Sequence, residues 1–408
     1  MERIVLHSDC NSFYASVECL KHPELRSKAV AVGGDVEQRH GIILAKNQRA
    51  KRFGVQTGEP IWQARNKCPD LVVVPPVFED YMKFSHFARE IYSDYTDCVE
   101  SFGLDEAWLD VTGADGVAIA EKISRRIKFE LGITVSIGVS FNKVFAKLGS
   151  DYRKPDAITV ITKDNFKDIV WPLPVTDLLC VGKATGEKLR GLGISTIGQL
   201  ARADRRALNL RLGKNGDMLS FFANGLDSSP VARYDKLQMV KSVGNSSTLP
   251  RDLTCLQDAA RVLYVLGDSV GRRLREQGLL GRCVTVSMRT NELWSFTRQT
   301  VLERPTDLTD EIVRTGIELV RKNYDWRSPM RSIGIKVSDL TDIMQGVQTN
   351  FFVDEVHRVK MEKLQEVSDR LKDRFGNKCI QPASLLADTE LTGFDPKQDH
   401  VIHPVGFY

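Results

Sequence analysis

Two adjacent carboxylates, Asp105 and Glu106, stand at the turn of the stretch Glu100-Ser101-Phe102-Gly103-Leu104-Asp105-Glu106-Ala107-Trp108-Leu109-Asp110. Apolar, strand-like runs flank them, and no basic residue lies within five positions on either side. Carboxylates crowded in this way repel and raise each other's pKa unless positive charge is shared between them, and a pair of Mg²⁺ ions is the usual means. A third acid closes the opening run Arg3-Ile4-Val5-Leu6-His7-Ser8-Asp9, which reads as a buried strand followed at once by a helix start. The expectation is that Asp9, Asp105 and Glu106 meet on one sheet.

The elements around them must bring this about. Ser8 to Leu20 turns from strand to helix, with Asn11 or Ser12 as N-cap and Phe13, Val17 and Leu20 on the inner face. A helix N-terminus after a strand-end acid favours phosphate, so the amides of Phe13 and Tyr14 are candidates to hold a triphosphate; an ordinary strand-to-helix connection would read the same. Residues 23–78 form a compact insertion with short strands at Ala29 to Val32 and Gly41 to Ala45, then a basic cluster from Lys46 to Arg52. Such a cluster is usually a solvated helix face, yet Gln48 and Lys51 are one turn apart, as a triphosphate clamp requires.

An amphipathic helix from Phe78 to Asp97 leads to the strand that reaches Phe102, and Trp108 to Val111 completes a hairpin. A helix (Gly116 to Leu131), a strand (Ile133 to Ser140) and a helix (Asn142 to Ser150) follow. Strand, helix, hairpin, helix, strand is a ferredoxin-like split βαβ order, which sets the first strand beside the hairpin. Lys154 then sits on a turn before the strand Ile158 to Ile161.

Beyond Pro172 and Pro174, the run from Leu178 through Val181-Gly182-Lys183 to Leu200 reads as a helix, a glycine hairpin and a helix. Its turn leaves consecutive amides free to face a DNA phosphate, though a plain helical hairpin has the same pattern. Arg233 to Lys241 is a polar tether. Ser242 to Leu340 repeats a sheet-and-helix grammar with helices at Leu256 to Gln277 and Leu308 to Tyr324. Arg282, Arg289, Arg298 and Arg331 are strung along its strands, where they could follow a phosphate backbone or form a charged solvent face. Gln348-Thr349-Asn350-Phe351-Phe352 ends in two aromatics, as a motif docking into a partner's groove does. A charged helix (Val356 to Phe375) and a loose tail close the chain.

At 408 residues the chain suggests roughly three or four domains. A formal charge of +4 is modest, so an anionic partner must be argued from where the charge sits. The eight cysteines are scattered without a Cys-x-x-Cys and read as reduced thiols. With no signal-like segment and no apolar stretch long enough for a bilayer, the expectation is a soluble, cytoplasmic protein with no membrane partner.

Together, Asp9 to Glu18 (DCNSFYASVE), Leu104-Asp105-Glu106-Ala107, Ser140 to Leu148 (SFNKVFAKL), Lys154-Pro155 and Val181-Gly182-Lys183 resemble a Y-family, translesion DNA polymerase over about residues 1 to 340. The resemblance implies an α+β, multidomain chain: a ferredoxin-like palm (1–22 and 79–172), small fingers (23–78), a helical thumb with a helix-hairpin-helix (173–233), a linker (234–241), a separate βαββαβ-like little finger (242–340) and a C-terminal tail (341–408). It implies that Asp9, Asp105 and the carbonyl of Cys10 bind two Mg²⁺ ions, with Glu106 completing the site on the primer side. Tyr14 would sit under the sugar and exclude ribonucleotides, the plain alternative being a buried core tyrosine. Lys154 would contact the triphosphate, primer–template DNA and dNTP would be the substrates, and the catalytic chain would be monomeric.

The sequence departs from the family at the fingers, where Gln48 and Lys51 stand in place of a tyrosine and an arginine and hold a triphosphate less rigidly. The chain is similar to bacterial polymerase IV and to the catalytic subunit of polymerase V, and the Asn-x-Phe-Tyr-Ala-Ser wording of Asn11 to Ser16 is like that of the latter and its Gram-positive relatives. Gln348, Phe351 and Phe352 resemble the bacterial sliding-clamp-binding pentapeptide. Two other classes compete: a non-catalytic DNA- or clamp-binding accessory protein on the same fold, which should have lost an acid, and a two-metal cyclase or nuclease, which would not need the glycine-hairpin module.

Overall fold

The computed structural model describes residues 2–34, 39, 41–234, 239–345 and 355–396. The chain divides into two compact units, one made chiefly of Met1–Gly34 and Ile42–Leu237, the other chiefly of Gln238–Gly406.

In the first unit the order is β1 (Val5–Cys10), α1 (Phe13–Lys21), β2 (Val30–Gly33), β3 (Ile43–Lys46), α2 (Gln48–Arg52), α3 (Ile61–Lys67), β4 (Val72–Val74), α4 (Phe78–Ser93), β5 (Val99–Ser101) and β6 (Glu106–Asp110). There follow α5 (Gly116–Arg126), β7 (Val135–Ser140), α6 (Lys143–Tyr152), β8 (Ile158–Ile161), α7 (Phe166–Val170), α8 (Lys183–Arg190), α9 (Ile197–Arg202), α10 (Arg205–Leu212) and α11 (Lys214–Ala223). The main sheet has the order β5-β6-β1-β7-β8, so the first strand does lie between the hairpin and β7. The strands β3-β2-β4 make a separate small sheet.

Alternation along β1 decides the site. Leu6 and Cys10 point into a core shared with α1, α4 and α5, among them Phe13, Tyr92 and Ile123. Val5, His7 and Asp9 therefore point to the opposite face, where Val5 packs with Trp108 and with Ala146 of α6. Gly138 on β7 makes room for this helix: a Cβ there would stand 1.9 Å from the Ala146 carbonyl oxygen. The backbone of α6 therefore rests directly on the strand, and its polar side chains reach the neighbouring strands, Ser150 at His7 of β1 and Lys147 at Glu106 of β6.

Helices α7 to α11 share a core with Val144, Phe145 and Leu148 of α6 and Ile161 of β8. Hydrophobic packing thus runs through position 173, where the sequence suggests a boundary. The 23–78 insertion has its own small core around Ile43, Val55, Ile61 and Leu71.

The second unit contains β9 (Ser242–Leu253), α12 (Leu256–Glu276), β10 (Leu279–Thr290), β11 (Ser295–Thr306), α13 (Thr309–Asn323), β12 (Met330–Asp342), α14 (Glu355–Phe375) and α15 (Thr389–Thr392). Its sheet has the order β11-β10-β12-β9. Val284, Val286, Ile333, Ile335 and Val337 pack against Val262, Leu266 and Val313 of the two long helices.

The charged helix expected at Val356 to Phe375 is α14, and the loose tail expected beyond it is corrected over residues 376–396. Lys372 of α14 pairs with Asp268 at 2.7 Å, Arg275 with Asp369 at 2.6 Å and Arg358 with Glu311 at 2.7 Å. Leu391 of α15 is fully buried in the core of this unit. The charged helix is a docked layer because its acids and bases match those of α12 and α13.

Candidate active site

Asp9 lies directly opposite Glu106 in the β1–β6 ladder, and the Cys10 amide donates to the Asp105 carbonyl oxygen at 2.9 Å. The three expected acids are therefore neighbours at the ends of two paired strands. Two lysines reach them from α6 and the turn after it. Lys154 Nζ stands 2.5 Å from Asp9 Oδ2 and 2.6 Å from Asp151, while Lys147 pairs with Glu106. Asp110 is apart from this group and bonds the backbone and hydroxyl of Thr112.

Burial lifts the Asp9 carboxyl to about 7 despite Lys154, with Glu106 and Asp105 adding to the rise. Burial, reinforced by Glu106, lifts Asp105 to about 6. Burial also acts upward on Glu106, but the His7 contact and the Lys147 charge outweigh it and hold this carboxyl below its usual range. Burial drives His7 down to about 4, which leaves the imidazole neutral near pH 7. Lys147 is then the charge that keeps Glu106 ionised.

Among the described residues no three His, Cys, Asp or Glu side chains converge on one point closely enough to ligate an ion. Asp9 is drawn to Lys154 and Glu106 to Lys147. The donor chemistry still fits a hard divalent cation: these are oxygen ligands, and two carboxyls have pKa values raised by burial and mutual repulsion, a strain that added positive charge relieves. Cys10 is buried in β1 opposite Val135, and burial pushes its thiol well up, so the side chain offers no thiolate.

Beyond Cys10, α1 begins after Ser12, whose φ of 51° is left-handed and whose side chain makes no cap. Instead the Gln48 amide approaches the Ser12 hydroxyl at 3.4 Å, which brings α2 to the start of α1. Lys51 is exposed one turn further on. Asn47, beside them, is committed to structure: it caps α2 through the Ala50 amide and binds the Val30 amide and Lys28 carbonyl. Phe13 is buried, whereas Tyr14 is only partly so and stacks on Tyr81 at 4.2 Å and 11°. The Tyr81 hydroxyl donates to Glu18 at 2.5 Å.

The glycine turn differs in detail from its expectation. The Val181 amide donates to the Leu178 carbonyl at 3.0 Å and is not free. Gly182 caps α8, so the first-turn amides from Lys183 onward are the ones without a helical partner. The four arginines do not share a face. Arg289 lies opposite Ser295 and Ser332, on the side away from the helices. Arg298 pairs with Val286 on the helix side, bonds Asn323 and lies over Phe296. Arg331 is the extra residue of a bulge in the pairing of β12 with β10, and Arg282 stands where the pairing of β10 with β11 shifts register. Gln348, Phe351 and Phe352 lie outside the described residues.

Sequence reasoning missed His7, Lys147, Ser150 and Tyr81. His7 had a signal, since period-2 spacing puts it on the Asp9 face. Lys147 and Ser150 lie on a helix whose inward turn depends on Gly138, which the sequence does not advertise.

The model of the impB/mucB/samB family matches residues 8–151, that of the impB/mucB/samB family C-terminal domain residues 240–351, and that of the IMS family HHH motif residues 163–194. A DNA polymerase IV from Acetivibrio thermocellus is 51% identical over 396 residues, covering 96% of this chain and 99% of its own. A DNA polymerase IV 1 from Bacillus subtilis is 38% identical, covering 95% and 94%. Among solved structures, a Y-family DNA polymerase chimera superposes with a TM-score of 0.75 at 25% identity, covering 83% of this chain and 99% of that one.

Proposed function

The chain belongs to the Y family of DNA polymerases, and on that premise we propose that it copies DNA past template lesions with Asp9, Asp105 and Glu106 as its reacting centre. The relatives named DNA polymerase IV, matched over nearly their whole length, support the activity. The observation that carries the assignment of residues is the pairing of Asp9 with Glu106, with Asp105 at the entry to the same strand. An accessory protein that had lost its chemistry would have no reason to keep three crowded acids.

Asp9, Asp105 and the Cys10 carbonyl would hold the divalent cations, two by analogy with the family, with Glu106 on the primer side. Cations held by these groups would supply a lowered pKa for the primer 3′-hydroxyl and positive charge against the leaving pyrophosphate. The protein's own part is positioning. Lys154 is placed to exchange its contact with Asp9 for an oxygen of the triphosphate, and the first-turn amides of α1, at Phe13 and Tyr14, point their dipole at the same anion. Gln48 and Lys51 add a looser clamp from the fingers. Tyr14, backed by Tyr81, fills the space where a 2′-hydroxyl would stand.

The amides from Lys183 onward and the Arg289 side of the sheet are proposed to track the DNA backbone. The segment 348–352 is proposed to bind a bacterial sliding clamp, and the chain to act as a cytoplasmic monomer. Among the described residues no helix is long and apolar enough to cross a membrane. Primer extension with Mg²⁺ and dNTPs tests the reading: the wild type should extend and Asp105→Ala should not. Failure of the wild type on every template would falsify it.

A further inference from the structure

His7 sits on β1 two residues before Asp9, on the same face, with no exposure to solvent. Three groups box its ring. Trp108 packs against it at 5.1 Å between centroids, the Ser150 Oγ is 2.8 Å from Nδ1, and Glu106 Oε2 is 3.3 Å from Nε2. Nε2 meets no partner at hydrogen-bond geometry, and the polar atom that faces it is the Glu106 carboxylate oxygen.

A neutral imidazole has one N–H, which allows two wirings. In the first, Nδ1–H donates to Ser150, the Ser150 hydroxyl donates to the Lys147 carbonyl 2.8 Å away, and the Nε2 lone pair confronts the carboxylate. In the second, the Ser150 hydroxyl donates to Nδ1 and the proton sits on Nε2, beside the Glu106 carboxylate 3.3 Å away. A lone pair on a fully buried ring nitrogen repels an ionised carboxylate, whereas an N–H attracts it. The Lys147 carbonyl lies within α6, where the amide four residues on serves it, so the second wiring deprives it of little.

We propose that His7 is a positioning residue for DNA synthesis: its Nε2–H tautomer, set by Ser150, holds the Glu106 carboxylate in place beside Asp9. This rests on Glu106 being one of the site's acids. The role differs from that of Lys147, whose charge competes with any cation that shares Glu106. An uncharged donor built into the strand steadies the carboxylate without opposing such a cation.

The tautomer is readable in the metal-free protein by ¹⁵N NMR of imidazole-labelled chain, with His7→Gln to assign the signal. The expected result is a protonated Nε2 and an acceptor-type Nδ1, with the preference weakened in Ser150→Ala. In primer extension, His7→Phe should lower kcat by about 10- to 100-fold, the usual effect of losing a residue that orients a ligand, and leave the dNTP KM nearly unchanged. His7→Gln, whose amide nitrogen reaches the Nε2 position, should recover most of the loss. In a Glu106→Gln background, His7→Phe should add little. A protonated Nδ1, or a wild-type kcat in folded His7→Phe, overturns the proposal. So does an equal loss of activity and melting temperature in the Phe and Gln variants, which would make the role structural. Should Glu106→Ala extend primers at the wild-type rate, Glu106 is not a site acid and the proposal falls with it, whichever tautomer the spectrum shows.

Discussion

Lys154 meets Asp9 across 145 residues of chain, Nζ to Oδ2 at 2.5 Å. A charge-assisted hydrogen bond is worth about 1.5–3 kcal/mol, so Lys154→Ala should raise the dNTP KM by roughly 10- to 100-fold. Steady-state single-nucleotide insertion measures this, and an unaltered KM would detach Lys154 from the nucleotide.

The raised carboxyls make the metal-free protein sensitive to pH in a defined direction. Asp9 at about 7 and Asp105 at about 6 hold protons in the folded state that the unfolded chain releases near its ordinary value of 3.8. Their contribution is complete below about pH 4 and is lost as pH rises through 6 and 7. Relative to the wild type, Asp105→Asn should therefore gain a few degrees in melting temperature between about pH 5 and pH 8. Mg²⁺ should raise the wild-type midpoint more at the higher pH. A difference between the two proteins that is independent of pH sinks this account.

Tyr14→Ala should admit ribonucleotides in primer extension, since it opens the space under the sugar. Tyr81→Phe keeps the stacked ring and loses only the hydrogen bond to Glu18, so it should leave sugar selection close to wild type. Equal discrimination by wild type and Tyr14→Ala would return this tyrosine to the core.

The two faces of the second unit's sheet separate its arginines. Arg289→Ala should weaken DNA binding at all sequences and reduce the salt slope by about one, whereas Arg298→Ala should change neither. Titrations at several salt concentrations decide the matter; equal effects from both would remove the distinction between faces.

Leu391 lies fully buried against the second unit's core although it belongs to the last described helix. Leu391→Ala should cost about 2–5 kcal/mol of that unit's stability. Thermal unfolding reads it, and a loss well under 1 kcal/mol would restore the picture of a loose tail.

Much of this molecule was legible beforehand for two reasons. The order of elements placed β1 beside the hairpin, and crowded acids without bases demanded a partner, so Asp9, Asp105 and Glu106 could be expected together. What escaped depends on offsets that sequence does not display. The register shifts near Arg282 and Arg331 break the alternation on which the arginine reading relied. Lys147 and Ser150 reach the site only because Gly138 lets α6 lie on β7. The C-terminal segment's charges find their partners on β9, α12 and α13, about 50 to 140 positions away, where no local pattern connects them.

The stack of Tyr14 on Tyr81 is closed upon itself, because Tyr81 is tied to Glu18, one turn further along the helix that carries Tyr14. On the proposed reading, sugar selection would be built from the same nine residues whose first amides would face the phosphates. Sliding or tilting that helix to widen the pocket would disturb both ends of the nucleotide at once. A lineage drifting toward RNA synthesis, or an engineer seeking it, is left with one inexpensive route: exchange the ring and leave the backbone where it is.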